Sequence, residues 1–243
     1  MTVDTKRMVR DSIRVLRQHT ADFVWSSRHT HLLPEATLSP WAADAAFLRL
    51  HALVKGHTLV DIYRCYELWD LARQMAETPG DVLEVGVWRG GTGVILAGAV
   101  APFGKTVFLA DTFEGVVKAG PMDTHYKGGE HADASEETVA TLAKAVGADN
   151  IQILKGVFPE DTAEAVTGQI SLLHIDVDVY ESARDVLAWA MPRLPAGAVV
   201  VFDDYGFQSC DGVTRFVDEF RTSHPGFRFL HNLNGHGVLI KLA

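Results

Sequence analysis

The stretch from residue 81 to the end of the chain constrains the fold most, because short apolar runs alternate there with longer helical stretches. Such alternation predicts a parallel sheet with helices on both faces. Two further apolar runs flank the sequence His-Asn-Leu-Asn-Gly-His-Gly, which is typical of a hairpin turn. The sequence therefore predicts an α/β fold with a seven-stranded, mostly parallel sheet and a C-terminal antiparallel hairpin. The predicted strands are residues 81–85, 106–110, 151–154, 170–175, 198–202, 227–230 and 238–242.

Residues 1–77 show helical spacing of their apolar side chains instead. Val9, Ile13 and Leu16 recur at intervals that place them on one helix face, and further helices are predicted at residues 41–54 and 59–75. These helices are too few to enclose a core of their own. We interpret residues 1–77 as a helical cap or oligomerisation arm, compatible with a homodimer, and residues 78–243 as the main domain.

Carboxylates follow two of the predicted strands. Asp176 and Asp178 come directly after the apolar run at 170–175, and Asp203 and Asp204 follow the run at 198–202. If these strands are neighbours, their ends lie about 4.8 Å apart. Oxygen ligands of this kind suit Mg²⁺, so Asp176, Asp203 and Asp204 are predicted to share one ion.

Asp178 has a second interpretation, because Asp178 and Glu181 are spaced like a helix N-cap and its acidic third residue. His174 is predicted to point to the same face of its strand as Asp176, where it would support the metal ligands.

A glycine-rich turn follows the first predicted strand. Gly86, Gly90 and Gly91 allow tight turning and close approach of a ligand to the backbone, although glycine at such a turn also serves helix packing alone. The run is not the dinucleotide pattern G-x-G-x-x-G. After the second strand, Asp111 stands where a carboxylate accepts hydrogen bonds from a ribose diol, or else caps a helix. An adenosine-containing cofactor is the interpretation that fits both turns.

Composition excludes several classes of function. The chain has 31 acidic and 22 basic residues, and no stripe of Lys or Arg that would neutralise nucleic-acid phosphates. No apolar run approaches the ~20 residues of a membrane span. Two distant cysteines, Cys65 and Cys210, predict free thiols. The expected protein is cytoplasmic, without nucleic-acid or membrane partners. A long glycine-bearing connection, residues 114–135, is predicted to be a lid and is called the lid segment below.

Four motifs in this order resemble the macrocin O-methyltransferase family, whose members methylate hydroxyls of natural-product sugars with S-adenosylmethionine and Mg²⁺. They are Glu-Val-Gly-Val-Trp-Arg-Gly-Gly, Ala-Asp-Thr-Phe-Glu-Gly, His-Ile-Asp-Val-Asp-Val-Tyr-Glu-Ser and Val-Phe-Asp-Asp-Tyr-Gly, all within residues 81–206. The resemblance implies a Rossmann-like class I methyltransferase.

The resemblance also implies site residues. Asp178 would be the general base, and Asp176, Asp203 and Asp204 would hold Mg²⁺. The cofactor would be surrounded by Glu84, Gly86, Trp88, Gly90, Gly91, Thr92, Asp111, Thr112, Phe113 and Asp176. Two departures from the family pattern are Val177, where the family has Gly, and Val116-Val117, where it has Leu-Pro; the second predicts a different lid and acceptor.

The leading hypothesis is an S-adenosylmethionine- and Mg²⁺-dependent O-methyltransferase of secondary metabolism, acting on a hydroxyl, most simply of a sugar, in a small-molecule acceptor. Two alternatives stay open at this point. One is a catechol-type enzyme that methylates a phenolic diol. The other is a module that binds S-adenosylmethionine without catalysis.

Overall fold

The computed structural model describes residues 3–19, 26, 28–30, 33 and 36–243. The chain divides into two compact units, Met1–Ser39 and Pro40–Ala243. The first contains helix α1, Val3–His19. The second contains all the elements described below. Within the described residues, no helix is both long and apolar enough to cross a membrane.

The second unit is built on one seven-stranded sheet with the order β3-β2-β1-β4-β5-β7-β6. All neighbouring strands are parallel except around β7, which runs antiparallel to both β5 and β6. This confirms the predicted sheet and its closing hairpin. The strands are β1 Asp81–Val85, β2 Val107–Asp111, β3 Ile151–Lys155, β4 Ile170–Ile175, β5 Val199–Phe202, β6 Phe227–His231 and β7 Gly237–Lys241.

Helices cover the two faces of the sheet because successive side chains of each buried strand point to opposite faces. Val82 of β1 belongs to one apolar core, whereas its neighbour Leu83 belongs to the other. The helices of this unit are α2 Ala45–Val54, α3 Ile62–Gln74, α4 Gly91–Val100, α5 Glu136–Val146, α6 Tyr180–Ala190 and α7 Asp211–Ser223. Helices α2 to α5 adjoin the first core and α6 with α7 the second.

Helix α2 starts later than the spacing predicts. A short 3₁₀ turn, Pro40–Ala43, comes first, and the side chain of Asp44 then accepts hydrogen bonds from the first backbone N–H groups of α2. Phe47 of α2 and Leu68 of α3 are fully buried in the first core. Helices α2 and α3 are thus part of the Pro40–Ala243 unit, and the functional division at residues 77 and 78 stays a prediction.

Candidate active site

The carboxyl ends of the four central parallel strands meet at one edge of the sheet. Val85 of β1 pairs with Ile175 of β4, and Ile175 pairs with Phe202 of β5, so the residues that follow these strands become neighbours. A pocket opens there. The predicted site residues that line it are Gly86, Trp88, Thr92, Asp111, Thr112, Asp176, Asp178, Asp203 and Asp204.

Three of the carboxylates form a compact group. Ligand oxygens of Asp176, Asp203 and Asp204 all lie within 4.8 Å of one another. Asp203 and Asp204 are buried, and Asp176 is half-buried. The structure therefore brings together the three side chains that the sequence pattern predicted as neighbours.

Asp203 has a counter-ion within the protein. The Arg64 guanidinium donates to Asp203 Oδ2 at 2.5 Å and to Asp61 Oδ2 at 2.9 Å. His236 Nε2 donates to Asp203 Oδ1 at 2.9 Å. Burial opposes ionisation of Asp203, but the nearby His174, the hydrogen bond from His236 and the Arg64 charge hold its pKa below the usual range. Asp203 is ionised without any bound metal.

His174, which is buried like His236, also lies beside Asp203. His174 Nδ1 donates to Glu84 Oε1 at 2.8 Å, and its Nε2 lies 3.6 Å from Asp203 Oδ1. Burial would lower the pKa of His174, but the neighbouring carboxylates of Asp203 and Glu84 raise it to about 10. His174 therefore favours its protonated form beside the carboxylates of Glu84 and Asp203.

Asp176 and Asp204 are in the opposite electrostatic situation. Burial raises the pKa of both carboxyls, and the negative charge of nearby Asp203 raises it further. A cation between them would remove this penalty. The donor set consists of hard oxygen atoms, which is the set that Mg²⁺ prefers. The residues present therefore fit a divalent cation.

Asp178 lies beside this group in a strained conformation. Its φ of 65° is in the left-handed region, which is uncommon for a residue other than glycine. The Cys210 thiol contacts Asp178 Oδ1 at 3.7 Å, and Tyr126, whose hydroxyl lies 3.5 Å from His131 Nε2, lines the same pocket as Asp178. Burial raises the pKa of the Asp178 carboxyl.

The structure separates Asp178 from a capping role. Val179 occupies the N-cap position of α6, and no side chain at that position bonds the helix. Instead, Asp123 of the lid segment accepts a hydrogen bond from the Tyr180 backbone N–H at 2.9 Å. The Asp178 carboxylate is consequently not used by the helix start and faces the pocket.

The glycine-rich turn passes very close to the strand end that carries Asp176. Gly86 has a φ of 88°, and a Cβ built there would lie 1.7 Å from the Asp176 carbonyl oxygen. Only glycine fits at this position. Gly90 precedes α4 in the left-handed conformation, and the Gly91 N–H donates to the His57 carbonyl at 2.8 Å. Gly90 and Gly91 thus shape the turn without lining the pocket.

Asp111 anchors the same turn. Its Oδ2 accepts hydrogen bonds from the backbone N–H groups of Val87 at 2.7 Å and Trp88 at 2.8 Å. Its Oδ1 accepts one from Phe113 at 2.7 Å. Both oxygens therefore have protein partners, and contact with a ribose would use their remaining lone pairs.

Glu84 and Phe113 lie away from the pocket surface. Glu84 is fully buried, and within the described part of the chain its Oε2 has no hydrogen-bond partner. Phe113 packs against the first apolar core. Their predicted contacts with a cofactor stay predictions, as do those of the other cofactor-binding residues.

Five residues in or beside this site had no predicted role there, namely Arg64, Asp123, Tyr126, Cys210 and His236. Arg64 lies on α3 and reaches Asp203 from 139 positions away in the sequence. His236 lies in the hairpin turn, where its spacing indicates only a turn. A local pattern carries no signal for such distant contacts.

Comparison with known proteins decides the family. The family model for macrocin O-methyltransferase (TylF) matches residues 44–241. The chain belongs to this O-methyltransferase family. The predicted resemblance, fold class and enzyme class are confirmed, and fold and family together imply the use of S-adenosylmethionine by this O-methyltransferase.

Three proteins illustrate the similarity. The 8-demethyl-8-(2,3-dimethoxy-alpha-L-rhamnosyl)-tetracenomycin-C 4'-O-methyltransferase of Streptomyces olivaceus is 32% identical over 198 residues, covering 75% of this chain and 74% of the relative. The mycinamicin III 3''-O-methyltransferase of Micromonospora griseorubida is 27% identical over 226 residues, covering 86% and 87%. The solved structure of the O-methyltransferase NovP has a TM-score of 0.65 and 26% identity, covering 77% of this chain and 82% of that one.

Proposed function

We propose that this enzyme is a Mg²⁺-dependent O-methyltransferase that methylates a sugar hydroxyl of a secondary metabolite with S-adenosylmethionine. The observation that carries the proposal is the group of buried carboxylates at the ends of β4 and β5. Three of them have oxygens within 4.8 Å of one another, and they share one pocket with the glycine-rich turn.

Asp176, Asp203 and Asp204 would hold the cation. Bound there, Mg²⁺ would lower the pKa of an acceptor hydroxyl and offset the repulsion among the carboxylates. Arg64 and His236 keep Asp203 ionised and fix both of its oxygens in place. Asp176 and Asp204, whose pKa values are raised by burial and by neighbouring carboxylates, would gain most from a bound cation.

Asp178 would be the general base. An alcohol becomes a competent nucleophile towards a methyl sulfonium only when its proton is removed. Asp178 follows the metal-ligand strand by two residues and takes no part in capping α6, so its carboxylate is available in the pocket. Its raised pKa makes it a stronger base than an ordinary carboxylate.

The turn after β1 would hold the methyl donor, with the sulfonium bearing the transferable methyl group near the carboxylates. Gly86 lets the backbone approach the Asp176 strand end, and Asp111 holds the Val87 and Trp88 amides in a fixed orientation. Asp111 would also accept a hydrogen bond from the ribose.

A sugar hydroxyl is the acceptor that the relatives favour. The name of the Streptomyces olivaceus protein specifies 4'-O-methylation of a rhamnosyl tetracenomycin, and that of the Micromonospora griseorubida protein specifies a 3''-O-methylation of mycinamicin III. Both names describe O-methylation of a natural product, so we assign the same reaction to this chain.

Thermal unfolding with added Mn²⁺ or Mg²⁺ tests the metal site without an acceptor. A ligand at 100 times its Kd stabilises a protein by about 2.7 kcal/mol, which for a chain of this size raises Tm by roughly 5–10 °C. Asp204→Asn should abolish that rise, and Glu114→Gln, an exposed acid of the lid segment, should retain it. A full rise in Asp204→Asn would refute the assigned ligands.

Turnover tests the base and the acceptor. With 4-nitrophenyl α-L-rhamnoside and catechol as probes, we expect methylation of the rhamnoside that stops after EDTA treatment. Asp178→Asn should retain the metal-dependent rise in Tm and lose turnover by roughly 10²-fold or more. Methylation of catechol alone would assign a phenolic acceptor instead, and activity that survives EDTA would remove the metal from the mechanism.

A further inference from the structure

The lid segment contains one side chain that is buried although its neighbours are exposed. Residues 114–135 form no helix or strand, and the residues on either side of Asp123, Met122 and Thr124, are both exposed. Asp123 itself is only 5% exposed. A buried carboxylate in a surface segment needs hydrogen-bond partners, and its partners identify where the segment is held.

Asp123 is held at the start of α6. Its Oδ1 accepts the Tyr180 backbone N–H at 2.9 Å, and its Oδ2 accepts the Gly120 backbone N–H at 2.8 Å. The first bond supplies the side-chain cap that α6 lacks at its own N-cap position. The second closes a tight turn within the lid segment.

The start of α7 is shaped to admit the same carboxylate. A Cβ built on Gly212 would lie 1.8 Å from Asp123 Oδ1 and 3.0 Å from the Tyr180 backbone nitrogen. Beside it, the Thr124 backbone N–H donates to Asp211 Oδ1 at 3.0 Å. The lid segment therefore spans the first turns of both helices.

Those two helix starts adjoin the site. Asp178 lies two residues before Tyr180, and Cys210 directly precedes α7 and contacts the Asp178 carboxylate. Three residues beyond Asp123, Tyr126 lines the same pocket as Asp178. A displacement of Asp123 would consequently move Tyr126 relative to Asp178.

We propose that Asp123 is a positioning residue of the methyl transfer: it fastens the lid segment to the starts of α6 and α7 and so holds Tyr126 beside Asp178 in the pocket. The proposal rests on the function proposed above, because Asp178 is the base there. Opening of this attachment would admit the acceptor and release the product S-adenosylhomocysteine.

Two substitutions disrupt the attachment by independent routes. Asp123→Ala removes the carboxylate, whereas Gly212→Ala places a methyl group where that carboxylate lies. Hydrogen–deuterium exchange of residues 114–135 should accelerate at least about tenfold in either variant, as expected for loss of a charge-assisted hydrogen bond. Trypsin cleavage after Lys127, an exposed residue of the lid segment, should accelerate similarly.

The double variant tests whether both changes act at one contact. With the Asp123 carboxylate removed, the Gly212→Ala methyl group no longer meets its two nearest atoms and next approaches the Tyr180 nitrogen at 3.0 Å, so exchange should rise less than about twofold further. Asp123→Asn keeps one acceptor oxygen and should give an intermediate rise. Glu114→Ala, the matched exposed acid, should leave exchange unchanged.

The dissociation rate of S-adenosylhomocysteine distinguishes positioning from general structural support. It should rise about tenfold in Asp123→Ala and Gly212→Ala while exchange of β1 and β4 stays at the wild-type rate. Turnover on the rhamnoside probe should fall in both variants, and Tyr126→Phe should lower it little further in the Asp123→Ala background.

Unchanged lid exchange in both single variants, or exchange that rises equally in the sheet, would overturn the proposal. So would full additivity of the two changes. Lack of rhamnoside methylation by the wild-type enzyme would contradict the proposed acceptor and leave the exchange and dissociation measurements as the test of Asp123.

Discussion

Adjacent residues Asp203 and Asp204 should respond in opposite directions to the same substitution in the metal-free enzyme. Asp203 is the partner of the buried Arg64 guanidinium, with its pKa held low, whereas Asp204 lies among carboxylates with its pKa raised. Asp203→Asn removes the buried anion of Arg64 and leaves it only the more exposed Asp61. Asp204→Asn removes a charge that the fold disfavours.

The magnitudes follow from burial. Removing one partner of a buried ion pair costs about 3–5 kcal/mol, which for this chain length lowers Tm by roughly 10 °C. The main charge repulsion on Asp204 comes from Asp178 and Asp203. Repulsion between two charges about 4 Å apart is worth about 1 kcal/mol in water and more at a buried site, so Asp204→Asn should raise Tm by a few degrees.

The assay is thermal unfolding by fluorescence after exhaustive EDTA treatment, repeated from pH 4 to pH 8. The pKa of Asp204 is higher in the folded protein than its unfolded value of 3.8. The stability that Asp204 contributes is therefore fully present below pH 3.8 and is lost as the pH rises through the folded pKa. The stabilisation by Asp204→Asn should therefore be small near pH 4 and grow towards pH 8. Destabilisation by both substitutions, or a Tm difference independent of pH, would refute the electrostatic description.

Three further predictions concern the surrounding framework. Gly86→Ala should destabilise the enzyme and abolish S-adenosylhomocysteine binding measured by calorimetry, because its Cβ would lie 1.7 Å from the Asp176 carbonyl oxygen. Asp111→Asn should lower Tm in the absence of any ligand by roughly 4–8 °C, because a charge-assisted bond to the turn is lost; an unchanged Tm with weakened binding would show that Asp111 acts on the ligand alone. Asp44→Asn should destabilise at neutral pH, because the Phe47 N–H bond lowers the Asp44 pKa; urea unfolding should show this difference above pH 3.8 and its loss as the pH falls through the folded pKa.

Much of the fold follows from local pattern. The predicted strands agree with the observed ones to within one or two residues, because a strand buried on both faces is a continuous apolar run that ends where polar residues begin. For the same reason, the sequence predicted that Asp176 and Asp203 come directly after the ends of their strands. Helix starts were less regular, as α2 shows by beginning only after Asp44.

The partners of those carboxylates required the tertiary structure. Arg64 meets Asp203 across 139 positions, and Asp123 meets Tyr180 across 57. Neither contact leaves a trace in local spacing, because it depends on which surfaces the folded sheet and helices bring together. The position of Val179 at the N-cap of α6, with Asp123 bonded to the Tyr180 N–H, removed the alternative interpretation of Asp178 as a helix cap.

The sequence by itself thus determined that Asp176, Asp203 and Asp204 gather at the carboxyl ends of neighbouring strands, since this depends on short-range periodicity and on where the strands end. The tertiary structure alone decided the charge state of each carboxylate. Asp203 and Asp204 are identical side chains in adjacent positions, yet one faces Arg64 and the other faces Asp178. Their pKa values move in opposite directions because electrostatic energy depends on distances in space rather than along the chain.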